Sequence, residues 1–560
     1  MTAPAASTTA ELVRDIVAAA VLRAADELGW DEAARAVAVE IEHPADPAHG
    51  DYATNIAMRL TRPLRRPPLE IAEAVRARIA TGDPIAAVEV AKPGFVNLRL
   101  SHAWLARQVD VIVHAGEGYG RSDRLAGEKI QVEYISANPT GPMTVANARG
   151  GPLGDVLANV LAFHGADVKR EYYINDTGTQ VEVFGQTLAI RYRELGGETG
   201  LTVPEGGYSA EYVVELARRL RAELGDGPAG LGLEEQGRLF APLAIDWLMD
   251  GHRETAERLG VRFDEWYRES DLVASGYFAE TLDALRGSGH VEDRDGAVWL
   301  RSRDLGEDID SVLVRSNGIP TYFGVDVAYH RQALVDRKFD RKIDIWGANT
   351  HGHARRMRTA MAALGLDGRW EVVIYQFVRF LHEGVLVKMA KRTGQFLLLD
   401  DVIEAVGADA TRFFLLQSSA DRTLDFDFEL AVQQSNENPV YYVQYAHARI
   451  ASIRRAAAEK GLASEGADVA LLTDPGELEL VRACLRFPEL VAELVTTKAV
   501  HRLTGYALEL AGLFHAFYRE HKVVGDDPER SKARLRLVEA VQVTLRQTLG
   551  LLGVGAPETM

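Results

Sequence analysis

The stretch 129–178 constrains the fold most. Apolar alternation through Lys129 to Ile135, KIQVEYI, runs into a Pro/Gly loop, and the segment Ser136 to Asp155 reads SANPTGPMTVANARGGPLGD. Leu153, Val156, Leu157, Val160 and Leu161 then follow at helical spacing. A second alternating run, Asp167 to Ile174, ends in Asn175-Asp176-Thr177-Gly178. Two strands joined by one helix over about thirty residues form a βαβ unit, which requires a parallel sheet with its ligand at the carboxyl ends of the strands. Both polar loops therefore open on one edge. The helix start beside them has free backbone N–H groups that can meet phosphate.

The flanking segments set the architecture. Residues 1–125 read as a small mixed α/β domain, with helices over Glu11 to Leu28 and Leu69 to Ile79 and strands over Ala87 to Leu100 around the turn Pro93-Gly94. Asp51 or Thr54 is placed to cap the helix that follows HGDYATN. Residues 126–405 form the doubly wound, Rossmann-like sheet domain. A mostly helical insertion occupies about 180–300. Strand signals return at Ala297 to Leu300, Ser311 to Arg315, Thr321 to Val325, Ile343 to Trp346 and Val372 to Tyr375, where the sheet is expected to resume. Residues 406–560 read as an all-helical bundle. The fold class is α/β multidomain.

Composition narrows the function. The chain has 560 residues, 47% hydrophobic and 26% charged, enough for roughly three or four domains. The single cysteine, Cys484, excludes an internal disulfide framework and a cysteine-rich structural zinc site, and a buried free thiol is expected. The N-terminus has no basic and apolar signal pattern and no segment is long enough to span a bilayer, so a cytoplasmic protein with no membrane partner is expected. A net charge of -18 argues against indiscriminate nucleic-acid binding, although basic residues gather at HGHARRMR, from His351, and KMAKR, from Lys388.

Four separated stretches carry a family resemblance: NPTGP at Asn138 to Pro142, REYYINDTG at Arg170 to Gly178, KMAKRTGQF at Lys388 to Phe396 and NENPVYYVQYAHAR at Asn436 to Arg449. With HGDYATNIA from His49 and PGFVNLRL from Pro93, the chain resembles bacterial arginyl-tRNA synthetase, a class I aminoacyl-tRNA synthetase. The resemblance implies a ligase that joins L-arginine to tRNA(Arg) through an arginyl-adenylate, with ATP and Mg2+. It also implies a monomer, an N-terminal domain on the outer corner of the tRNA and a C-terminal anticodon-binding bundle.

The chemistry is attack of a carboxylate on the α-phosphorus, so positioning and charge stabilisation dominate. In the family a His-x-Gly-His motif and a Lys-Met-Ser-Lys loop supply the donors. Here the first reads Thr144-Val145-Ala146-Asn147 and the second Lys388-Met389-Ala390-Lys391-Arg392. Thr144 and Asn147 remain neutral donors, at a cost of about 1 kcal/mol each. The cationic work passes to Lys388 and Lys391, so these four are the expected catalytic residues. ATP is expected against Pro139, Thr140, Gly141, Pro142, Thr144, Ala146, Asn147, Gly347, Asn349, Lys388, Met389 and Lys391.

A guanidinium is a planar fork that pairs with carboxylates bidentately. The resemblance places Glu133 and Asp326 on it, with Tyr322, Ser136, Asn138 and Thr350 completing the arginine pocket. It also implies tRNA contacts at Tyr441, Tyr445, Arg449 and Asn55, where aromatic rings can stack on splayed bases. No metal ligands are expected of the protein, since His351 and His353 alone leave a tetrahedral site half empty. Two other readings stay open on the altered motifs: a paralogue that activates arginine or a related compound outside translation, and a non-catalytic tRNA-binding regulator.

Overall fold

The computed structural model describes residues 8–382, 385–386 and 398–560. Lys388, Met389, Ala390, Lys391 and Arg392 lie outside the described residues.

Five parallel strands form the central sheet, in the order Trp370–Tyr375, Arg341–Gly347, Lys129–Tyr134, Asp167–Ile174, Glu265–Arg268. The chain enters at the middle strand, winds outward through Asp167–Ile174 and Glu265–Arg268, and returns to the other side at Arg341–Gly347. Strand order thus reverses between Lys129–Tyr134 and Arg341–Gly347, and a crevice opens at such a switch point. The expected βαβ unit is present: Val145–Ala148 continues through Arg149, itself helical, into Gly150–Phe163 and then the strand Asp167–Ile174. Helix and sheet approach so closely at Gly154 that a Cβ there would stand 2.2 Å from the Tyr134 ring.

Four expectations change. Thr321 to Val325 is not a strand: Thr321 caps a helix, Tyr322–Val335, by accepting the Gly324 N–H at 3.0 Å. Ala297–Leu300 and Ser311–Val314 are strands, but they form a separate antiparallel sheet with Val291–Arg294 rather than resuming the central one. The C-terminal half is not free of strand, since Leu424–Asp427 pairs in parallel with Val378–His382. One core strand, Glu265–Arg268, falls inside the stretch read as an insertion.

The first domain holds the helices Thr9–Leu28 and Pro68–Arg76 against a three-stranded antiparallel sheet whose hairpin joins Ile85–Ala91 to Phe95–Leu100. Thr54 Oγ1 accepts the Ile56 N–H at 3.2 Å. Asp51 does not cap: it accepts the Leu100 N–H at 2.6 Å and Arg482 Nε at 2.6 Å, tying this domain to the helical bundle. The bundle helices Pro439–Glu459, Pro475–Thr497, Arg502–Glu520 and Pro528–Leu552 enclose Cys484, whose thiol burial pushes up to about 12. No helix among the described residues is long and apolar enough to cross a membrane.

Candidate active site

The crevice at the switch point is built by register. Glu133 and Asp344 are Cα partners on neighbouring strands, and both are buried. Lys342 Nζ lies between them, 2.8 Å from Glu133 Oε2 and 2.7 Å from Asp344 Oδ1. From the helix Tyr322–Val335, Asp326 and His330 reach the same place. His330 donates through Nε2 to Asp344 Oδ2 at 2.7 Å and through Nδ1 to the Asp326 carbonyl at 2.8 Å. Both ring nitrogens donate, which requires the imidazolium. Burial opposes that charge, but Asp326 and Asp344 outweigh it and hold His330 up at about 10. His353 Nε2 bonds the other oxygen of Asp326.

Each carboxyl responds to its surroundings. Burial opposes ionisation of Asp326, yet His330 and His353 hold it well below the usual carboxylate range. Burial likewise opposes Asp344, and Lys342 with His330 draws it down to about 2. At Glu133 burial wins and pushes the carboxyl up to about 7, against the pull of Lys342. With Glu133 ionised, the carboxylates of Glu133, Asp326 and Asp344 outnumber the Lys342 ammonium and the His330 imidazolium by one negative charge. That suits a single cationic ligand. Among the described residues, only Glu133, His330 and Asp344 bring three ligand atoms close enough for a metal ion, and the Lys342 ammonium stands bonded to two of them.

The loop after the first core strand is strained and clamped. Ile135 and Ser136 take left-handed backbone, φ 66° and 41°, which for a β-branched residue costs on the order of 1–3 kcal/mol and marks functional sites. Ser136 Oγ donates to Glu133 Oε1 at 3.0 Å and accepts the Tyr173 N–H at 3.1 Å. Residues of the helical stretch then fix the NPTGP turn. Tyr208 OH donates to Thr140 Oγ1 at 2.9 Å, Tyr212 OH to the Thr140 carbonyl at 2.7 Å, and His252 Nε2 to the Gly141 carbonyl at 2.8 Å. Burial lowers His252 to about 4, so it is neutral and its Nδ1 accepts from Tyr172 OH at 2.8 Å.

The expected residues therefore divide. Glu133, Ser136, Asp326 and Tyr322 converge on one pocket, Tyr322 exposed at its mouth with its ring 5.3 Å from that of His353. Asn138 is exposed, whereas Pro139 and Thr140 are buried and Thr140 is spent on the clamp. Gly141 and Pro142 are half-buried. Thr144 Oγ1 donates to Asn147 Oδ1 at 3.2 Å, which leaves the Asn147 amide nitrogen to donate, and Ala146 is exposed beside them. Thr350 Oγ1 is turned onto the Gly347 carbonyl at 2.7 Å, closing the loop that exposes Asn349. Lys388, Met389 and Lys391 lie outside the described residues, but the chain rejoins at Leu398, paired with Thr144, and the Leu399 N–H donates to the Met143 carbonyl at 3.1 Å.

On the bundle, Tyr441 and Tyr445 stack at 6.1 Å and 9°, Tyr445 continues onto His515 at 5.9 Å, and the Arg449 guanidinium lies 4.8 Å over Tyr445. Gln444 of the same signature donates to Asp409 and to the Gly555 carbonyl, and His447 Nδ1 bonds the Pro557 carbonyl of the C-terminal tail, so both are spent within the fold. Asn55 stands at a helix start with its Oδ1 buried and unpaired.

Lys342, His330 and Glu269 were not singled out by the sequence, and His353 was weighed there only as a metal ligand. Glu269 accepts from Tyr173 OH at 2.9 Å and Asn175 Nδ2 at 2.8 Å beneath the pocket. The only available signal for Lys342 and Asp344 was the alternation KIDIW opposite VEY, which has meaning only once the strands are paired.

Comparisons with known proteins bear on the fold and the family. Residues 11–100 match the arginyl tRNA synthetase N terminal domain and residues 443–560 the DALR anticodon binding domain. The chain is 46% identical over 528 residues to an arginine–tRNA ligase of Heliobacterium modesticaldum, covering 93% of each chain. It is 44% identical to that of Carboxydothermus hydrogenoformans, covering 97% of this chain and 98% of the relative. Among solved structures it resembles the arginyl-tRNA synthetases of Thermus thermophilus (TM-score 0.79, 22% identity, 99% of this chain and 100% of that one) and Plasmodium falciparum (TM-score 0.78, 18%, 100% of each).

Proposed function

The chain belongs to the arginyl-tRNA synthetase family and is an arginine–tRNA ligase of translation, and from that premise we propose how its own residues divide the work. The arginine guanidinium enters the pocket of residual negative charge and is gripped by Glu133 and Asp326, with Tyr322 over it and Asn138 on the α-groups. The observation that carries this reading is the convergence of Glu133 and Asp326 at the switch point, each already oriented by a fixed donor.

ATP lies along the NPTGP turn and the helix start at Val145, where backbone N–H groups face the phosphates. The Asn147 amide, oriented by the Thr144 hydroxyl, donates to them, Gly347 and Asn349 flank the nucleoside, and Lys388 and Lys391 supply the positive charge. With the carboxylate of arginine held beside the α-phosphorus, attack forms the mixed anhydride and releases pyrophosphate. A hydroxyl at the tRNA 3′ end then attacks the arginyl carbonyl, forming the ester and releasing AMP. Magnesium, when bound with ATP, neutralises phosphate charge; no protein carboxylate is assigned to it. Tyr441, Tyr445 and Arg449 receive bases of the anticodon loop, and Asn55 touches the outer corner of the tRNA. The protein acts as a cytoplasmic monomer.

Arginine-dependent pyrophosphate exchange with and without tRNA(Arg), followed by charging, tests this. Exchange together with charging is expected. Exchange without charging would instead favour a paralogue outside translation, and neither activity would favour a regulator.

A further inference from the structure

The reaction as described gives Lys342 no part, yet its side chain is among the most completely buried in the protein. It stands on Arg341–Gly347 with its ammonium hydrogen-bonded to Glu133 Oε2 at 2.8 Å and to Tyr329 OH at 3.3 Å, and ion-paired with Asp344 Oδ1 at 2.7 Å. The Tyr329 ring lies 4.4 Å beneath it. The ammonium is therefore held from three sides.

We propose that Lys342 is a positioning residue for the substrate guanidinium, fixing the Glu133 carboxylate so that one acceptor site on each of its oxygens is left for a planar fork. This rests on the reading of Glu133 as a guanidinium acceptor. A carboxylate offers about four acceptor sites, two on each oxygen. Lys342 takes one on Oε2 and Ser136 takes one on Oε1. One site remains on each oxygen, the pair that a guanidinium engages bidentately and a point charge does not. Lys342 also favours the ionised form of Glu133 against its burial.

The charges around this pair are accounted for on every side. The helix Tyr322–Val335 brings Asp326, Tyr329 and His330, the neighbouring strand brings Asp344, and His353 answers Asp326 from the helix His351–Ala363. Glu171, on the strand Asp167–Ile174, is paired with Arg337 and receives the Tyr329 hydroxyl at 2.6 Å. Lys342 is the cation bonded directly to Glu133 among the described residues.

The test is Lys342→Met in arginine-dependent pyrophosphate exchange with tRNA(Arg) present. The arginine KM is expected to rise about tenfold or more while the ATP KM holds. The acid limb of kcat/KM for arginine should move up by about one pH unit, because Glu133 loses the cation that favours its charge. The double variant E133Q/K342M should be no worse than E133Q, since Lys342 acts through Glu133. Because Lys342→Met leaves Asp344 without its ammonium, K342M/D344N is measured beside it as the charge-balanced form, and the same arginine effect is expected there. An unchanged arginine KM and an unmoved acid limb in both would overturn the proposal, as would additive losses in E133Q/K342M. If E133Q raises the arginine KM and these variants do not, Lys342 alone is refuted. If E133Q has no effect, the guanidinium reading of the pocket falls, and this inference with it.

Discussion

Glu133 should make arginine use sensitive to pH. Burial raises its carboxyl to about 7, so acidification through that value protonates it and removes a charge the guanidinium needs. The arginine KM should therefore rise as pH falls below 7, while the ATP KM changes little; steady-state kinetics between pH 6 and 8 checks this, and a flat arginine profile would count against it. Asp326 should not contribute to that slope, because His330 and His353 keep it ionised well below the range. At this scale the acids were legible and their partners were not. The family resemblance placed Glu133, Tyr322 and Asp326, although none of them lies in the stretches that carry it. Lys342 and His330 look like an ordinary strand charge and helix polar residue until register and helix packing bring them onto Glu133 and Asp344.

Elements explain both what the sequence disclosed and what it hid. The strand, loop and helix from Lys129 to Phe163 were readable because an alternation of polar and apolar residues, buried throughout from Ile130 to Tyr134, gives way to a helical spacing at a Pro/Gly turn. TYFGV was misread because the helix it begins is buried on nearly all sides, Phe323 through His330 without a break, so no period of 3.6 shows. The clamp on the NPTGP turn comes from Tyr208, Tyr212 and His252, more than sixty residues away, and no local pattern announces it. The helix start itself is testable. Replacing Thr144 and Asn147 together by histidine restores two charged donors worth about 1 kcal/mol each, and exchange turnover should rise about thirtyfold. If it does not change, the ATP role given to this turn is too large.

Over the whole molecule, paired charges join the parts that must act together. Arg412, buried, donates to Asp155 on the helix behind the ATP turn at 2.5 Å and to the Leu552 carbonyl at the end of the bundle at 3.0 Å. The first domain docks on the bundle through Asp51 with Arg482 and Tyr52 with Glu489. The three-part architecture was legible in composition and pattern; these ties were not, because they join residues hundreds of positions apart. The stack of Tyr441, Tyr445 and His515 should serve tRNA alone. Tyr445→Ala should raise the tRNA KM in charging by about tenfold, a stacking loss within ~1–3 kcal/mol, with the arginine and ATP KM values held. A change confined to arginine would contradict that assignment.

The central claim is that one carboxylate pair selects arginine. Its most direct measurement is the arginine dependence of pyrophosphate exchange for Asp326→Ala against the unaltered protein, at pH 7.5 with tRNA(Arg) present. Loss of at least ~2 kcal/mol, about thirtyfold in kcat/KM for arginine with the ATP KM retained, is the predicted result. Near-normal use of arginine by that variant would contradict the account.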